Sequence, residues 1–320
     1  MKPAFIFPGQ GSQAIGMGKA LAGASTAARA VFDEVDSALG QKLTDLMWNG
    51  PEGELTLTEN AQPALMAVSV AAIRSLDVDH GLSVAKSAAY VAGHSLGEYS
   101  ALAAAGTFSL SDAARLLKIR GRAMQAATPV GVGAMAALLG LDAADAEAVA
   151  REAAQGEVCE AANDNAPGQV VISGNRAAVE RAIELAKANG AKRAVLLPVS
   201  APFHCALMKP AADAMAEALS KVELKAPSVP VVANVVAGPV TDPAEIRRRL
   251  IEQVTGRVRW RECMAFMAGQ GIDLFCEFGA GKVLTGLVKR TAPSANALAA
   301  GTPDEIAAVA AQLRQGWGHV

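Results

Sequence analysis

The chain has 320 residues, room for one large domain or two modest ones, and 52% are hydrophobic against 19% charged, which gives a packed core and excludes intrinsic disorder. Lys and Arg number 29 against 31 Asp and Glu, so no global field draws nucleic acid or an anionic membrane, and 4% aromatics argue against a base-stacking surface. Four scattered cysteines, Cys159, Cys205, Cys263 and Cys276, lack CxxC spacing and fit neither a disulfide framework nor a zinc site, so reduced thiols in a cytoplasm are expected.

The first apolar run, Ala4–Phe7, is cut off by Pro8-Gly9-Gln10-Gly11. It reads as a buried strand entering a tight loop and is too short for a signal-peptide core. Val31, Phe32, Val35 and Leu39 recur at helical spacing, and a further helix starts at Thr58 and carries Leu65, Met66, Ile73 and Leu76. Ala88–Ala92 is another buried strand, ended by Gly93, with one helix beginning near Leu96 and the next capped at Ser109 or Ser111. The apolar stretch Ala88–Phe108 holds His94 and Glu98 and is broken by glycines, so no membrane span is expected. Strands alternating with helices predict a parallel sheet covered on both faces. From about residue 128 the pattern changes. Gly133–Leu141 reads as a strand, Asp142–Gln155 as a helix, Val158–Ala162 and Gln169–Ser173 as strands, Asn175–Asn189 as a helix and Arg193–Val199 as a strand. That β-α-β-β-α-β order is the ferredoxin-like unit. The α/β pattern then resumes with a strand at Val229–Val232, a helix at Pro243–Val254, a strand at Asp273–Phe278 and a final helix at Pro303–Arg314. The expected fold is α/β, with a core of residues 1–127 and 199–320 and an inserted ferredoxin-like (βαββαβ) subdomain at 128–198.

Gly93-His94-Ser95-Leu96-Gly97 is a GxSxG pentapeptide. The motif alone is weak, but a strand before it and an alanine-rich helix after it make the strand–turn–helix setting of a nucleophile elbow. Ser95 would then project at a helix N-terminus, where backbone N–H groups can receive an oxyanion; the bland alternative is an ordinary Gly-Ser turn. A serine nucleophile needs a base, and there are four histidines. His80 lies in a polar loop, His319 is penultimate and His94 should be turned away from its neighbour Ser95. Elimination leaves His204, with a core-packed histidine as the alternative. A conventional α/β-hydrolase places an acid before a late histidine, whereas a long stretch of chain follows His204. Asp145 and Asp164 fall within the expected insert, so a Ser–His dyad oriented by something other than a carboxylate fits better. Ala113, Leu117, Arg120 and Met124 share one helical face, while Arg115, Lys118 and Arg122 are expected to reach water. An arginine on an apolar face must be paired, and its fork suits a carboxylate, either an internal Asp or Glu or one on a substrate. Gly9-Gln10-Gly11 lacks the third glycine of a dinucleotide fingerprint, with Ala14 in its place, and Gly18-Lys19 lacks a phosphate-binding loop around it, so neither NAD nor ATP is supported.

Phe7-Pro8-Gly9-Gln10-Gly11-Ser12-Gln13, Gln62-Pro63-Ala64, the elbow with Glu98, Asn165-Ala166-Pro167-Gly168-Gln169, Phe203-His204 and Glu277-Phe278-Gly279 together resemble the malonyl-CoA:acyl-carrier-protein transacylases of fatty-acid and polyketide synthesis. The resemblance spans nearly the whole chain and implies an α/β hydrolase-like core with a ferredoxin-like insert. It implies that Ser95 is acylated, that His204 is its base, that the backbone N–H groups of Gln10 and Leu96 form the oxyanion hole and that Arg120 holds the malonyl carboxylate. It further implies that the main-chain carbonyl of Gln253 orients the histidine, and that Gln62 and Asn165 are polar substrate-binding positions. Phe203, beside the base, would limit room for an α-methyl branch. Malonyl-CoA and an acyl carrier protein, with its phosphopantetheine thiol, are the implied substrate and partner. No metal and no cofactor are expected, a monomer is the default, and because such carriers are acidic a local basic patch is implied, with Lys187, Lys192, Arg193, Lys289 and Arg290 as its candidates. A serine esterase or thioesterase and a non-catalytic carrier-docking module are the competing readings.

Overall fold

The computed structural model describes residues 1–317, and His319 lies outside them. Among the described residues the strands run, in chain order, β1 (Pro3–Phe7), β2 (Tyr90–Gly93), β3 (Gly133–Leu139), β4 (Cys159–Ala166), β5 (Gln169–Asn175), β6 (Arg193–Leu196), β7 (Val231–Ala233), β8 (Gly238–Val240), β9 (Leu274–Phe278) and β10 (Asn296–Ala300). Residues of β1 alternate between two apolar clusters. Phe5 and Phe7 join one with Val91, while Ala4 and Ile6 join the other with Ala92 and Trp260. A strand buried on both faces is what a continuous apolar run encodes, and β1 occupies the interior of a six-stranded sheet ordered β10-β9-β1-β2-β7-β8. Every pairing in that sheet is parallel except β7 with β8.

The other sheet is separate and antiparallel, ordered β4-β5-β3-β6. The helices Ala143–Ala154 and Arg176–Ala188 pack on it through their own apolar cluster, which includes Ala136, Leu138, Val149, Ile172 and Val179. It is fastened to the large sheet's side of the molecule where Asp164 N–H donates to Val258 O and Val258 N–H to Ala162 O. The molecule is thus a mixed α/β fold, with a parallel-rich sheet and a distinct antiparallel one.

Several boundaries differ from those expected. The strand expected to reach Val199 ends at Leu196; Leu197 N–H still donates to Met135 O, but from there the chain turns to line a cleft with Leu197, Pro198 and Val199. β4 continues beyond the expected Ala162 to Ala166, carried across two register shifts. The edge strands β8 and β10 carry too little apolar alternation to be seen in the sequence. His80, expected in a loop, is the last residue of the helix Thr58–His80. No helix among the described residues is long and apolar enough to cross a membrane. All four cysteines are free and buried.

The helix Leu110–Ala126 lies against the start of Thr58–His80 at a contact that only glycine permits. A Cβ on Gly121 would fall 2.5 Å from Glu59 Cα and 2.7 Å from Thr58 O. Gly121→Ala should therefore destabilise the protein by about 1–3 kcal/mol through overpacking, despite alanine's better helix propensity. A thermal unfolding midpoint equal to or above that of the parent would contradict this packing.

Candidate active site

β2 ends at Gly93 and the helix Gly97–Ala104 begins four residues later, so Ser95 sits on the turn between them with φ 54°. A left-handed conformation is costly for a serine and is held here by its surroundings. A Cβ on Gly93 would lie 1.8 Å from the Gly97 carbonyl, so the turn closes only over glycine. Asn234, fully buried just after β7, fixes the turn from below. Its Oδ1 accepts the Ser95 N–H at 2.8 Å, and its Nδ2 donates to Gly93 O at 2.8 Å.

Ser95 Oγ lies 2.7 Å from His204 Nε2. The opposite ring nitrogen, Nδ1, donates to Gln253 O at 2.9 Å and to Gly256 O at 3.1 Å. Two main-chain carbonyls assign the proton to Nδ1 and leave Nε2 as an acceptor for the serine proton. His204 also has positive φ, 58°. Burial, reinforced by the Arg120 charge, pushes its pKa down to about 3, against the support of the Gln253 and Gly256 carbonyls. Among the described residues no carboxylate stands behind the histidine: the two partners of its Nδ1 are carbonyls, and Asp164 is engaged by Arg261 at 2.8 Å.

Arg120 is 1% exposed. Its Nη1 donates to Gln62 Oε1 at 2.7 Å, and its Nη2 to Gln253 Oε1 at 2.8 Å and to Ser95 Oγ at 3.1 Å. Its Nε is buried without an acceptor, and its Cζ lies 5.7 Å from the centre of the Tyr99 ring. Every acceptor is neutral, and the ion pairs among the described residues leave Arg120 out. The internal carboxylate that the sequence left open is therefore not in contact with it. Lys118, expected to reach water, is instead buried, paired with Glu59 at 3.0 Å and donating to Asn60 at 2.8 Å. The first turn of Thr58–His80 covers it, a packing that helical periodicity does not reveal.

A cleft of about 490 Å³ runs between the two sheets' layers. Ser95, His204, Arg120, Gln62, Gln10, Leu96, Asn165 and Phe203 all line it, and Gln253 stands behind them. Neither Gln10 N–H nor Leu96 N–H donates to a protein acceptor among the described residues, whereas neighbouring amides at the elbow do. Asn165 falls at a register shift in β4, and its Oδ1 lies 2.8 Å from His94 Nε2, which draws the His94 ring away from the dyad and against Trp260. Burial lowers the pKa of His94. Gln62 reaches Arg120 with its oxygen and donates Nε2 to Thr58 Oγ1 at 2.8 Å. Sequence reasoning missed Asn234, and it treated Glu98 as part of a motif only. Glu98 is 2% exposed and accepts at Oε2 from Asn234 N–H at 2.9 Å and from Gln253 Nε2 at 3.1 Å. Burial pushes its pKa up to about 7, opposed by those donors and by Arg120. A carboxylate in the first turn of an alanine-rich, apolar helix was the signal available.

Residues 4–315 match the family described as acyl transferase domain. The malonyl CoA-acyl carrier protein transacylase of Escherichia coli (strain K12) is 48% identical over 305 residues, 95% of this chain and 97% of that one. The crystal structure of an acyl-carrier-protein S-malonyltransferase from Bartonella henselae superposes with a TM-score of 0.96 at 58% identity, covering 98% of this chain and 100% of that one. A type II PKS acyl-carrier protein in complex with its malonyl-transacylase gives a TM-score of 0.94 at 43% identity, over 98% of this chain and all of that one.

The buried histidine has a consequence in pH. Its native pKa, about 3, lies below the ordinary 6.5, so the unfolded chain binds more protons between those values and His204 costs stability as pH falls through that window. Glu98 has the opposite sign, with a native value near 7 against 4.5, so its contribution is lost as pH rises across that interval. The direct measurement is imidazole nitrogen NMR: at pH ~5, where an ordinary histidine is mostly protonated, His204 Nε2 should still be unprotonated. A midpoint near 6.5 would remove the burial argument.

Proposed function

The chain belongs to the acyl transferase domain family, and from that membership and the geometry of its cleft we propose that it moves a malonyl group from malonyl-CoA to the phosphopantetheine thiol of an acyl carrier protein, through an ester on Ser95, in fatty-acid biosynthesis. The observation that carries the substrate assignment is the buried Arg120 guanidinium, whose acceptors are all neutral side chains. An acyl group ending in a carboxylate supplies the missing counter-charge, and an uncharged acyl group does not.

Ser95 Oγ attacks the thioester carbonyl while its proton passes to His204 Nε2, 2.7 Å away. The imidazolium so formed keeps its Nδ1–H on the Gln253 and Gly256 carbonyls, which do the orienting work of the absent acid. The amides of Gln10 and Leu96 receive the oxyanion; their lack of protein acceptors supports this reading. The tetrahedral intermediate collapses, the C–S bond breaks, and the CoA sulfur leaves with the proton from Nε2. The carrier thiol then gives its proton to Nε2 and attacks the malonyl ester, and Ser95 Oγ leaves and is reprotonated. When Oγ is esterified it no longer needs the Nη2 hydrogen bond, which is then available to the malonyl carboxylate. Gln62 and Gln253 hold the guanidinium from two sides, and Asn165, fixed by His94, and Phe203 bound the rest of the acyl pocket. The reading needs no metal and no bound cofactor, and CoA and phosphopantetheine take part as substrates. Transfer to a carrier, a cytoplasmic location and a monomeric state go together in it, with the free, buried cysteines in support of the location. Of the basic residues considered for carrier docking, Lys187 is paired with Glu184 and Arg290 is bonded to Gln169 and the Pro167 carbonyl.

We further infer that residues 128–198 are a ferredoxin-like insert in a hydrolase-like core of 1–127 and 199–320. The β-α-β-β-α-β order, the strand order β4-β5-β3-β6 and the separate apolar cluster support that division.

Malonyl-CoA alone should add one malonyl group to the protein, and Ser95→Ala should abolish the adduct; intact-protein mass spectrometry finding the adduct at parental levels in the variant would refute the nucleophile. Arg120→Ala should separate two donors. Malonyl transfer should fall by about 2–5 kcal/mol, roughly 30- to 5,000-fold, while acetyl transfer holds or rises. Equal losses for both would make Arg120 a structural residue and place carboxylate recognition elsewhere.

A further inference from the structure

The Gln253 side chain has two roles to perform at once, and only one orientation of its amide performs both. Its Oε1 accepts from Arg120 Nη2 at 2.8 Å, and its Nε2 donates to Ser95 O at 3.0 Å and to Glu98 Oε2 at 3.1 Å. Turned over, the amide would set N–H groups against the guanidinium and its oxygen against three other oxygens, the third being Asn234 Oδ1 at 3.4 Å. Ser95 O is a single acceptor on a strained turn and already receives Glu98 N–H. The buried acceptor that tips the balance is Glu98 Oε2, which Asn234 N–H holds at 2.9 Å.

We propose that Glu98 is a positioning residue for acyl-group selection. Its Oε2 sets the direction of the Gln253 amide, and through it the position of Arg120, so that the guanidinium is presented to a carboxylate in the cleft. The role is that of an acceptor, not of a counter-ion. Oε2 accepts both bonds whether or not a proton resides on Oε1, and Glu98 makes no contact with Arg120. This rests on the reading of Arg120 as the carboxylate site.

Three single variants, one double variant and one control test it, each checked for folding by its unfolding midpoint. Glu98→Met fills the same space without an acceptor. It should lower kcat/KM for malonyl transfer at least about tenfold, the cost of leaving a buried donor without its acceptor, mostly in KM for malonyl-CoA. Acetyl transfer and labelling of Ser95 by an uncharged sulfonyl fluoride should change much less. Glu98→Gln, whose Oε1 can replace Oε2, should restore most of the malonyl rate. Gln253→Met should reproduce the malonyl loss, and the double variant Glu98→Met with Gln253→Met should be hardly worse than either alone, because both act on one link. If Glu98→Met does not fold, Glu98→Asp, which withdraws the acceptor by one methylene, should show the malonyl-selective loss. Glu98→Gln as impaired as Glu98→Met would identify a charge role and overturn the proposal. So would equal loss of malonyl transfer, acetyl transfer and labelling, additive losses in the double variant, or no loss. Arg120→Ala is the control: if it fails to separate malonyl from acetyl, the reading of Arg120 has failed, whereas separation there without separation in Glu98→Met defeats this proposal alone.

Discussion

A guanidinium buried among neutral partners is the constraint around which the rest of the molecule is arranged. Taking such a charge out of water costs several kcal/mol, and hydrogen bonds to amides recover only part of it. Burial lowers the Arg120 pKa, while the surrounding Tyr99 and Glu98 raise it. The protein meets this cost with a ring of groups drawn from distant parts of the chain. Gln62 comes from the helix Thr58–His80, Gln253 from Pro243–Thr255, Tyr99 from the elbow helix and Ser95 from the elbow itself. Each of these is polar or aromatic, and none of those in contact is acidic. Partial compensation of this kind suits a site in which a ligand supplies the remaining charge.

The same economy governs the two residues proposed to react. Ser95 and His204 both have left-handed backbones, at φ 54° and 58°, which cost of order 1–3 kcal/mol each. Strain at one residue can be absorbed by a turn, but two facing residues must be held by something rigid. The parallel neighbours β2 and β7 provide it, because the side chain of Asn234 leaves the end of β7 and ties down both Gly93 and Ser95. On the opposite side, Gln253 and Gly256 fix the imidazole from the end of one helix. The turn that carries Ser95 and the irregular stretch that carries His204 are thus braced by sheet on one side and a helix terminus on the other.

What could be read from the sequence was what is encoded locally. The run Ala4–Phe7, the strand–turn–helix around Ser95 and the face shared by Leu117, Arg120 and Met124 all depend on neighbours within a few residues. Arg120 could be placed on an apolar face, but its partner could not, because that depends on which helices approach. Lys118 was misplaced for the same reason, since Glu59 and Asn60 come from a helix brought close by Gly121. Asn234 and Glu98 are 136 positions apart, and their bond exists only because β7 lies beside β2. Strand order in a parallel sheet is set by crossover connections and leaves no mark at either residue. Gln10, Leu96, Gln253, Gln62 and Asn165 came into view only through likeness to a family, for no periodicity singles them out.

The four buried cysteines acquire a particular meaning beside this cleft. In the proposed reaction an acyl group passes between sulfur and oxygen, and any thiolate in reach is a rival acceptor for it. Cys205 is the residue after His204, yet it is fully buried with its Sγ turned to the Pro202 carbonyl, and desolvation pushes its pKa up to about 11. Cys159 is pushed up to about 12, and Cys263 and Cys276 are raised by the same cause. At neutral pH none of them offers sulfur in the form that attacks a thioester. An enzyme that trades acyl groups with thiols all its life thereby avoids becoming a terminal acceptor itself, and the cargo leaves only on a thiol brought from outside.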